Sequence, residues 1–277
     1  MTSAIQKEIE HLRAEINRHN RLYYVDAQPE ISDAQFDKLV KRLEKLEAEH
    51  PEFDSPDSPT HKVGGEPIEG FETVEHRLKM LSIDNVFDDA ELAEFGARVK
   101  KLLHGEPTEF TVEYKVDGVA LSLVYESGRL VQGVTRGDGG RGDDVTHNAR
   151  TLLGVPLALD TKAPPSVLEL RGEAYIGNAD FAHIRAAQEH AGEQPFANPR
   201  NAAAGALKLL DPKLCAARRL RFLAHGEGYC EGVEFKTHIE FLETVRRLGI
   251  PATPDVKAFP EFEQACEYAR QLAERIH

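Results

Sequence analysis

The stretch from residue 109 to residue 139 most constrains the fold, because it predicts two long strands joined by a tight turn. Its sequence is EFTVEYKVDGVALSLVYESGRLVQGVTRGDG. The strands are rich in valine, leucine and tyrosine, and the segment ESGR supplies the polar, glycine-containing turn of a β-hairpin. We therefore expect a β-sheet with antiparallel neighbours at the centre of the molecule.

Charged residues interrupt the first of these strands at alternate positions. They lie in the segment EYKVDG, which contains Glu113, Lys115 and Asp117 and ends at Gly118. Because successive side chains of a strand point to opposite faces, the three charges share one face. The strand LELRGEAYI repeats this pattern with three charged residues on one face: Glu169, Arg171 and Glu173.

Two interpretations of this charged face are open. Half-exposed antiparallel sheets are common, so the charges fit a solvated face that carries salt bridges. A glycine within a strand, however, often marks a bulge or the close approach of a ligand to the backbone, and Gly118 directly follows the charges. The second interpretation is therefore a ligand site that contains Lys115.

Two further stretches also fit either a ligand site or ordinary structure. Residues 135–146, TRGDGGRGDDVT, predict either a phosphate-binding neighbourhood or a long flexible hairpin tip. They lack the GK[ST] ending of a Walker loop and the strand–helix setting of a dinucleotide fingerprint. Residues 196–212, FANPRNAAAGALKLLDP, predict a loop and a closely packed helix, with Arg200 and Lys208 as candidate contacts to phosphate or nucleic acid.

The chain divides at about residue 67. Before that point, apolar residues recur at helical spacing: Ile5, Ile9, Leu12 and Ile16. Ser32 and Gln35 have the spacing of a capping box, so a second helix is expected to begin there and to end before Pro51. We expect a helical domain over residues 1–67 and a mixed helix-and-strand domain over residues 68–277.

Composition narrows the classes of function. The 277 residues carry a net charge of −13, whereas domains that grip nucleic acid through its backbone are usually basic. We therefore expect this chain alone to bind DNA only weakly. The three cysteines show no CxxC pairing, and no apolar run approaches the ~18 residues that span a bilayer. A cytoplasmic protein with no membrane partner is the expectation.

Several stretches together resemble one family, the NAD+-dependent DNA ligases of bacteria. The KxDG signature of nucleotidyltransferases is Lys115, Asp117 and Gly118, and it is accompanied in the family's order by YYVDAQPEISDAQFD, DSPTHKVG, MLSIDNVF, TRGDGGRGDDVTHNARTL, LELRGEAYI and FANPRNAAAGALK. The resemblance covers nearly the whole chain. It implies an α+β fold: a small helical domain that binds the nicotinamide mononucleotide half of NAD+, and an ATP-grasp-like nucleotidyltransferase domain.

The resemblance also implies a reaction and its residues. Lys115 would attack the α-phosphorus of NAD+ to give lysyl-AMP, and AMP would then pass to the 5′-phosphate of a nick during DNA replication and repair. Lys115 and Asp117 would be catalytic, and Mg2+ or Mn2+ would assist. The remaining NAD+-binding positions would be Tyr23, Tyr24, Asp33, Phe36, Asp37, Ser82, Ile83, Glu113, Arg136, Glu173 and His225.

This sequence departs from the family pattern at a few positions. Phe36 and His225 each stand where tyrosine is usual, Lys208 replaces an arginine, and Asp143 replaces a glutamate. These changes leave open an inactive nucleotide-binding relative, and the KxDG signature alone also fits ATP-dependent enzymes.

Family members also continue past the point where this sequence stops. They add strands that complete the nucleotide site, and then a Zn2+ module. We therefore expect an incomplete nucleotidyltransferase core, a monomer, no nick sealing and little self-adenylation from this chain by itself.

Overall fold

The computed structural model describes residues 2–26, 28–63 and 68–275. Its helices are α1 Thr2–Tyr24, α2 Asp33–Glu49, α3 Asp89–Leu102, α4 Thr146–Ala149, α5 Asn178–Ala191, α6 Pro199–Leu207, α7 Pro212–Ala217, α8 His238–Arg247 and α9 Phe262–Glu274. Its strands are β1 Thr73–Glu75, β2 Phe110–Val112, β3 Val119–Glu126, β4 Arg129–Thr135, β5 Arg141–Asp143, β6 Val167–Tyr175, β7 Arg221–Glu231 and β8 Lys257–Phe259. The expected combination of a helical N-terminal part and antiparallel sheets is confirmed.

Helices α1 and α2 form a helical unit with a small core of its own. Residues from both predicted apolar stripes pack together there: Ile9, Leu12, Ile16, Leu43 and Leu46. The predicted capping box is present, because the Ser32 hydroxyl accepts a hydrogen bond from the Gln35 amide and the Gln35 side chain accepts one from the Ser32 amide. Helix α2 ends at Glu49, two residues before Pro51, as expected.

A buried carboxylate ties the connector, which is residues 51–63 after α2, to these two helices. Glu47 on α2 pairs with the Arg13 guanidinium on α1. It also accepts hydrogen bonds from the hydroxyls of Ser58 and Thr60 in the connector. A buried charge is stable only when it is paired and hydrogen-bonded, and Glu47 meets both conditions.

The central sheet has four antiparallel strands in the order β4-β3-β6-β7. The predicted hairpin is confirmed, because Glu126 pairs with Arg129 across a two-residue turn. Both turn residues have positive φ, 48° at Ser127 and 81° at Gly128. Two positive φ values are typical of the type I′ turn, whose twist matches that of the adjoining strands.

The continuous first strand predicted from residue 109 is wrong. Strand β2 ends at Val112 and pairs with β8, whereas β3 begins at Val119 and belongs to the central sheet. Residues 113–117 between them are in neither ladder. The chain thus passes from one sheet to another along the charged segment, and a methyl group at Gly118 would overlap the carbonyl oxygen of Ala174.

The two faces of the central sheet differ in chemistry. One face carries apolar residues from three strands, among them Leu121, Leu123, Leu168, Leu170 and Phe222, which belong to a core that includes residues of α6 and α8. The opposite face carries the charges predicted on β6, whereas Glu113, Lys115 and Asp117 lie on the segment before β3 and outside the sheet. The β6 face is not solvated, since Glu169 and Glu173 are only 3% and 9% exposed.

None of the helices in the described ranges is long and apolar enough to cross a bilayer.

Candidate active site

Lys115 lies on the unpaired segment between β2 and β3, with its side chain exposed to solvent. Within the described part of the chain it has no hydrogen-bond or ion-pair partner. Its charge nevertheless acts on Glu173 and on His225, which places both groups in its electrostatic neighbourhood. An exposed amine without a fixed partner is free to reach a reacting atom.

Asp117, two residues further on, is paired with a cation from another element. The Arg200 guanidinium lies 3.2 Å from its carboxylate. Arg200 occupies the first turn of α6, which begins at Pro199 and is capped by the Asn198 side chain. The small residues of α6 are buried, as the sequence predicts for a closely packed helix, and this packing fixes where Arg200 emerges.

Glu173 connects the charged segment to the sheet. It lies on β6 opposite Ala120 of β3, and its carboxylate accepts a hydrogen bond of 3.2 Å from the Gly118 amide. Desolvation raises the pKa of Glu173, and the positive charges of Lys115 and Arg200 partly oppose that rise. The carboxylate is thus buried between the backbone of the charged segment and two cations.

Two histidines stand near Glu113 at the other end of the segment. The Nε2 atom of His238, the first residue of α8, lies 3.4 Å from a Glu113 carboxylate oxygen. Desolvation lowers the pKa of His225 on β7, an effect that the Glu113 charge partly opposes. His238 was not predicted from the sequence, because a histidine after a helix cap carries no pattern that distinguishes it.

A third group of contacts holds residues 78–83 beside the charged sheet face. Arg171 donates hydrogen bonds to the backbone oxygens of Leu78 and Lys79, at 2.6 and 2.9 Å. Arg136 lies 3.3 Å from the Ser82 hydroxyl, so these two predicted site residues are neighbours. Ile83 is 71% exposed. Arg171 was recognised in the sequence only as part of the charged face, yet it anchors this segment.

The glycine-rich stretch forms a short hydrogen-bonded turn between β4 and β5, in which the Gly139 amide donates to the Arg136 oxygen. The Asp138 carboxylate accepts hydrogen bonds from the amides of Gly140 and Arg141, both at 2.8 Å. These hydrogen bonds lower the pKa of Asp138. Since a side chain already occupies these amides, the loop offers less of the backbone cradle that a phosphate would use.

Lys208 and Asp143, two positions where the sequence departs from the family pattern, contact each other. The Lys208 ammonium lies 2.8 Å from the Asp143 carboxylate. This ion pair joins the end of α6 to β5. The two departures from the family pattern therefore lie in one pair of contacting side chains.

The predicted residues of the helical unit gather at a separate place. Tyr23, Tyr24 and Phe36 line a small pocket of about 50 Å³ together with Arg219, which lies between α7 and β7. The residues that line it include none of the charged groups around Lys115. Asp37 is exposed on α2, and the Asp33 side chain lies outside the described residues.

Metal ligands do not converge around Lys115 among the residues described. The group of three potential ligands in the described residues is Glu47 on α2 together with Asp54 and His61 in the connector. Glu47 already pairs with Arg13 and accepts hydrogen bonds from two hydroxyls. Glu113, Asp117 and Glu173 are the carboxylates near Lys115 in the described part of the chain, and Glu113 contacts His238. Such a set fits Mg2+, which usually binds through one or two carboxylates together with substrate phosphates.

An exposed lysine on a KxDG segment, set against an antiparallel sheet with a buried charged face, defines a nucleotidyltransferase-type domain. Residues 68–277 match the family model described as the NAD-dependent DNA ligase adenylation domain. Residues 2–64 match the DNA ligase-like, N-terminal NAD+-binding domain. The chain therefore belongs to the NAD-dependent DNA ligase family.

Curated relatives agree with this assignment. The chain is 46% identical over 281 residues to the DNA ligase of Rhodopirellula baltica, with 98% of this chain and 40% of the relative aligned. It is 48% identical to that of Akkermansia muciniphila, with 98% and 35% aligned, and 45% identical to that of Geobacter metallireducens, with 99% and 41% aligned. The chain thus spans about two fifths of the length of these relatives.

Proposed function

We propose that Lys115 takes AMP from NAD+ as the first step of nick sealing in DNA. The Lys115 nitrogen attacks the α-phosphorus and forms a phosphorus–nitrogen bond. The bond from that phosphorus to the bridging oxygen breaks, and nicotinamide mononucleotide leaves with the bonding electrons. The observation that supports this step is the unpaired Lys115 between two carboxylates that each have a partner, His238 and Arg200.

The AMP half of NAD+ would bind the charged sheet face. We assign the adenine amino group to Glu113 and the adenine ring to His225. Glu173 would accept hydrogen bonds from the ribose hydroxyls. The segment with Ser82 and Ile83, next to Arg136, would line the adenosine.

The nicotinamide half would bind the helical unit, through Tyr23, Tyr24, Phe36 and the two acidic residues Asp33 and Asp37. In this structure the pocket with Tyr23 and Phe36 is lined by Arg219 and by none of the residues around Lys115. We expect the helical unit to move toward Lys115 when both halves of one NAD+ molecule bind. Residues 1–67 would act as one domain and residues 68–277 as the other.

A divalent cation would assist at the phosphates. When bound, Mg2+ or Mn2+ would offset negative charge that develops on the α-phosphate oxygens. Asp117 is the residue of this chain that would contribute to holding it. Arg200, which pairs with Asp117, would direct positive charge toward the same phosphates.

DNA would be the final acceptor of AMP. Arg200 and Lys208 are the candidate contacts to the phosphate backbone in this chain. With a net charge of −13, tight binding of nicked DNA would require surfaces beyond these residues. The three cysteines are free, which supports a reducing compartment such as the bacterial cytoplasm.

The test uses a protein that contains this chain and has the full length of its relatives. Incubation with NAD+ and Mg2+ should give a covalent AMP adduct on Lys115 by intact mass, and the Lys115→Ala variant should give none. ATP in place of NAD+ should also give none. Binding of NAD+ without an adduct in the wild-type protein would instead indicate a nucleotide-binding relative that has lost the reaction.

A further inference from the structure

We propose that His238 is a positioning residue that fixes the Glu113 carboxylate and thereby makes the site selective for a purine with an amino group at position 6. The inference rests on the proposed function, in which Glu113 accepts a hydrogen bond from the adenine. His238 itself need not touch the nucleotide. Its role would be to hold one oxygen of Glu113 so that the other faces the base.

Glu113 needs such support because its backbone gives little. Residue 113 follows the last residue of β2 and lies outside both adjoining ladders. The other acidic residues of the site have their own anchors, since Arg200 pairs with Asp117 and the Gly118 amide binds Glu173. For Glu113, the corresponding contact within the described residues is the His238 ring, 3.4 Å from its carboxylate.

His238 is well placed to act as a fixed anchor. It is the first residue of α8, and the preceding Thr237 caps that helix by accepting a hydrogen bond from the Glu240 amide. Its ring stacks on Phe241, with centroids 6.1 Å apart and planes 21° apart. Phe241 is buried and packs edge-on against Phe235. The helix cap and the aromatic packing thus set both the position and the plane of the imidazole.

Selectivity follows from the hydrogen-bonding capacity of a held carboxylate. An ionised carboxylate only accepts hydrogen bonds, so it pairs with a 6-amino group but repels a 6-oxo group. His238 can donate through Nε2 both as imidazolium and as the neutral Nε2–H tautomer. Either form can hold one oxygen of the Glu113 carboxylate in place. Without His238, the carboxylate is free to turn away from the base.

The test compares binding of NAD+ with binding of nicotinamide hypoxanthine dinucleotide, which carries a 6-oxo group. Calorimetry on the full-length protein that contains this chain, with a chelator present, measures both affinities without AMP transfer. The wild-type protein should prefer NAD+ by at least about tenfold, as expected for a hydrogen bond to a charged group. His238→Ala should reduce this ratio at least about fivefold, and His238→Gln, which retains a donor, should recover part of it.

The matched control is His183→Ala, on the exposed face of α5, which should leave the ratio unchanged. Because the readout is a ratio within one variant, a partly unfolded sample lowers both affinities and does not imitate the effect. An unchanged ratio in His238→Ala overturns the role of His238 and leaves the proposed function intact. Failure of the full-length wild-type protein to bind NAD+ overturns both.

Discussion

Both carboxylates that flank Lys115 along the chain have partners on distant elements. Arg200 of α6 pairs with Asp117, and His238 of α8 contacts Glu113. Two carboxylates beside a reacting lysine concentrate negative charge where a phosphate has to approach. The structure answers this difficulty in part, because Arg200 offsets one of the two negative charges. The sequence predicted the charges on either side of Lys115 but not these partners, which come from segments about 80 and 120 residues away.

We expect Arg200→Ala to slow the formation of lysyl-AMP by about tenfold or more, since it removes a charge from a site where electrostatic stabilisation is a large effect. Asp117 would also lose its partner. The measurement is the rate of adduct formation in the full-length protein. Arg200→Lys serves as the control that keeps the charge and should retain part of the rate. An unchanged rate in Arg200→Ala would contradict the electrostatic role.

Variants of the Lys208–Asp143 pair can distinguish an effect on stability from an effect on DNA binding. The two side chains are 58% and 32% exposed, and exposed ion pairs contribute roughly 0–1 kcal/mol to stability. Lys208→Ala and Asp143→Ala should therefore each change the free energy of unfolding by less than about 1 kcal/mol. Lys208→Ala should nevertheless weaken binding of nicked DNA by the full-length protein, with a smaller salt dependence. Equal effects of both variants on DNA binding would show that the pair acts only as a structural tie.

At the scale of elements, the sequence pattern of apolar and polar residues predicted the β3–β4 hairpin but not the end of β2. Apolar and polar residues alternate without a break from Phe110 to Asp117, so the pattern contains no signal that β2 ends at Val112. The change of sheet depends on β8, which pairs with β2 and lies about 147 residues further along the chain. The capping box of α2 and the turn of the hairpin were predictable because their causes are local. Partners such as His238 and Arg171 were not, since their roles depend on pairing between distant segments.

Gly118 is the element-scale position where a small change should have a large effect. A methyl group there would overlap the carbonyl oxygen of Ala174, which belongs to the backbone of β6 and cannot easily move. We expect Gly118→Ala to lower the free energy of unfolding by about 1–3 kcal/mol, the usual range for overpacking, and to displace the Lys115 segment. Gly226→Ala, on β7 of the same sheet, has open space around the new methyl group and should be tolerated. Chemical denaturation of both variants provides the comparison, and equal stability would contradict the predicted clash.

At the scale of the whole molecule, the helical unit and its connector contact the rest of the chain, residues 68–275, through several polar contacts. Arg21 pairs with Asp160 at 2.7 Å, and Arg129 pairs with Asp57 at 2.6 Å. Beside them is a cavity of about 380 Å³ lined by residues of both parts. Polar contacts around a cavity suit the movement of the helical unit that is proposed for NAD+ binding. No sequence pattern predicts such an arrangement, because each ion pair joins an exposed residue to a half-buried one, and each residue is ordinary on its own.

Lys62 lines this cavity, and its protonation makes the free energy of unfolding depend on pH. Its ammonium donates one hydrogen bond, of 3.2 Å, to the Leu152 backbone oxygen, and desolvation lowers the pKa of Lys62 from 10.5 to about 8. Between these two pH values the unfolded chain holds more protons than the folded chain, so this group makes stability rise with pH. The destabilisation by the charged lysine is therefore complete below about pH 8 and is lost by about pH 10.5.

Replacing Lys62 by methionine should remove this penalty. We expect Lys62→Met to be more stable than the wild type at pH 7, by on the order of 2 kcal/mol, and the difference to disappear as the pH approaches 10.5. Thermal unfolding of both proteins from pH 7 to pH 10.5 measures the difference directly, and changes common to both cancel. Lys38→Met, on the exposed side of α2, is the matched control and should show no such pH dependence. A stability difference that stays constant across this pH range would show that Lys62 is not held in the desolvated site between the two parts.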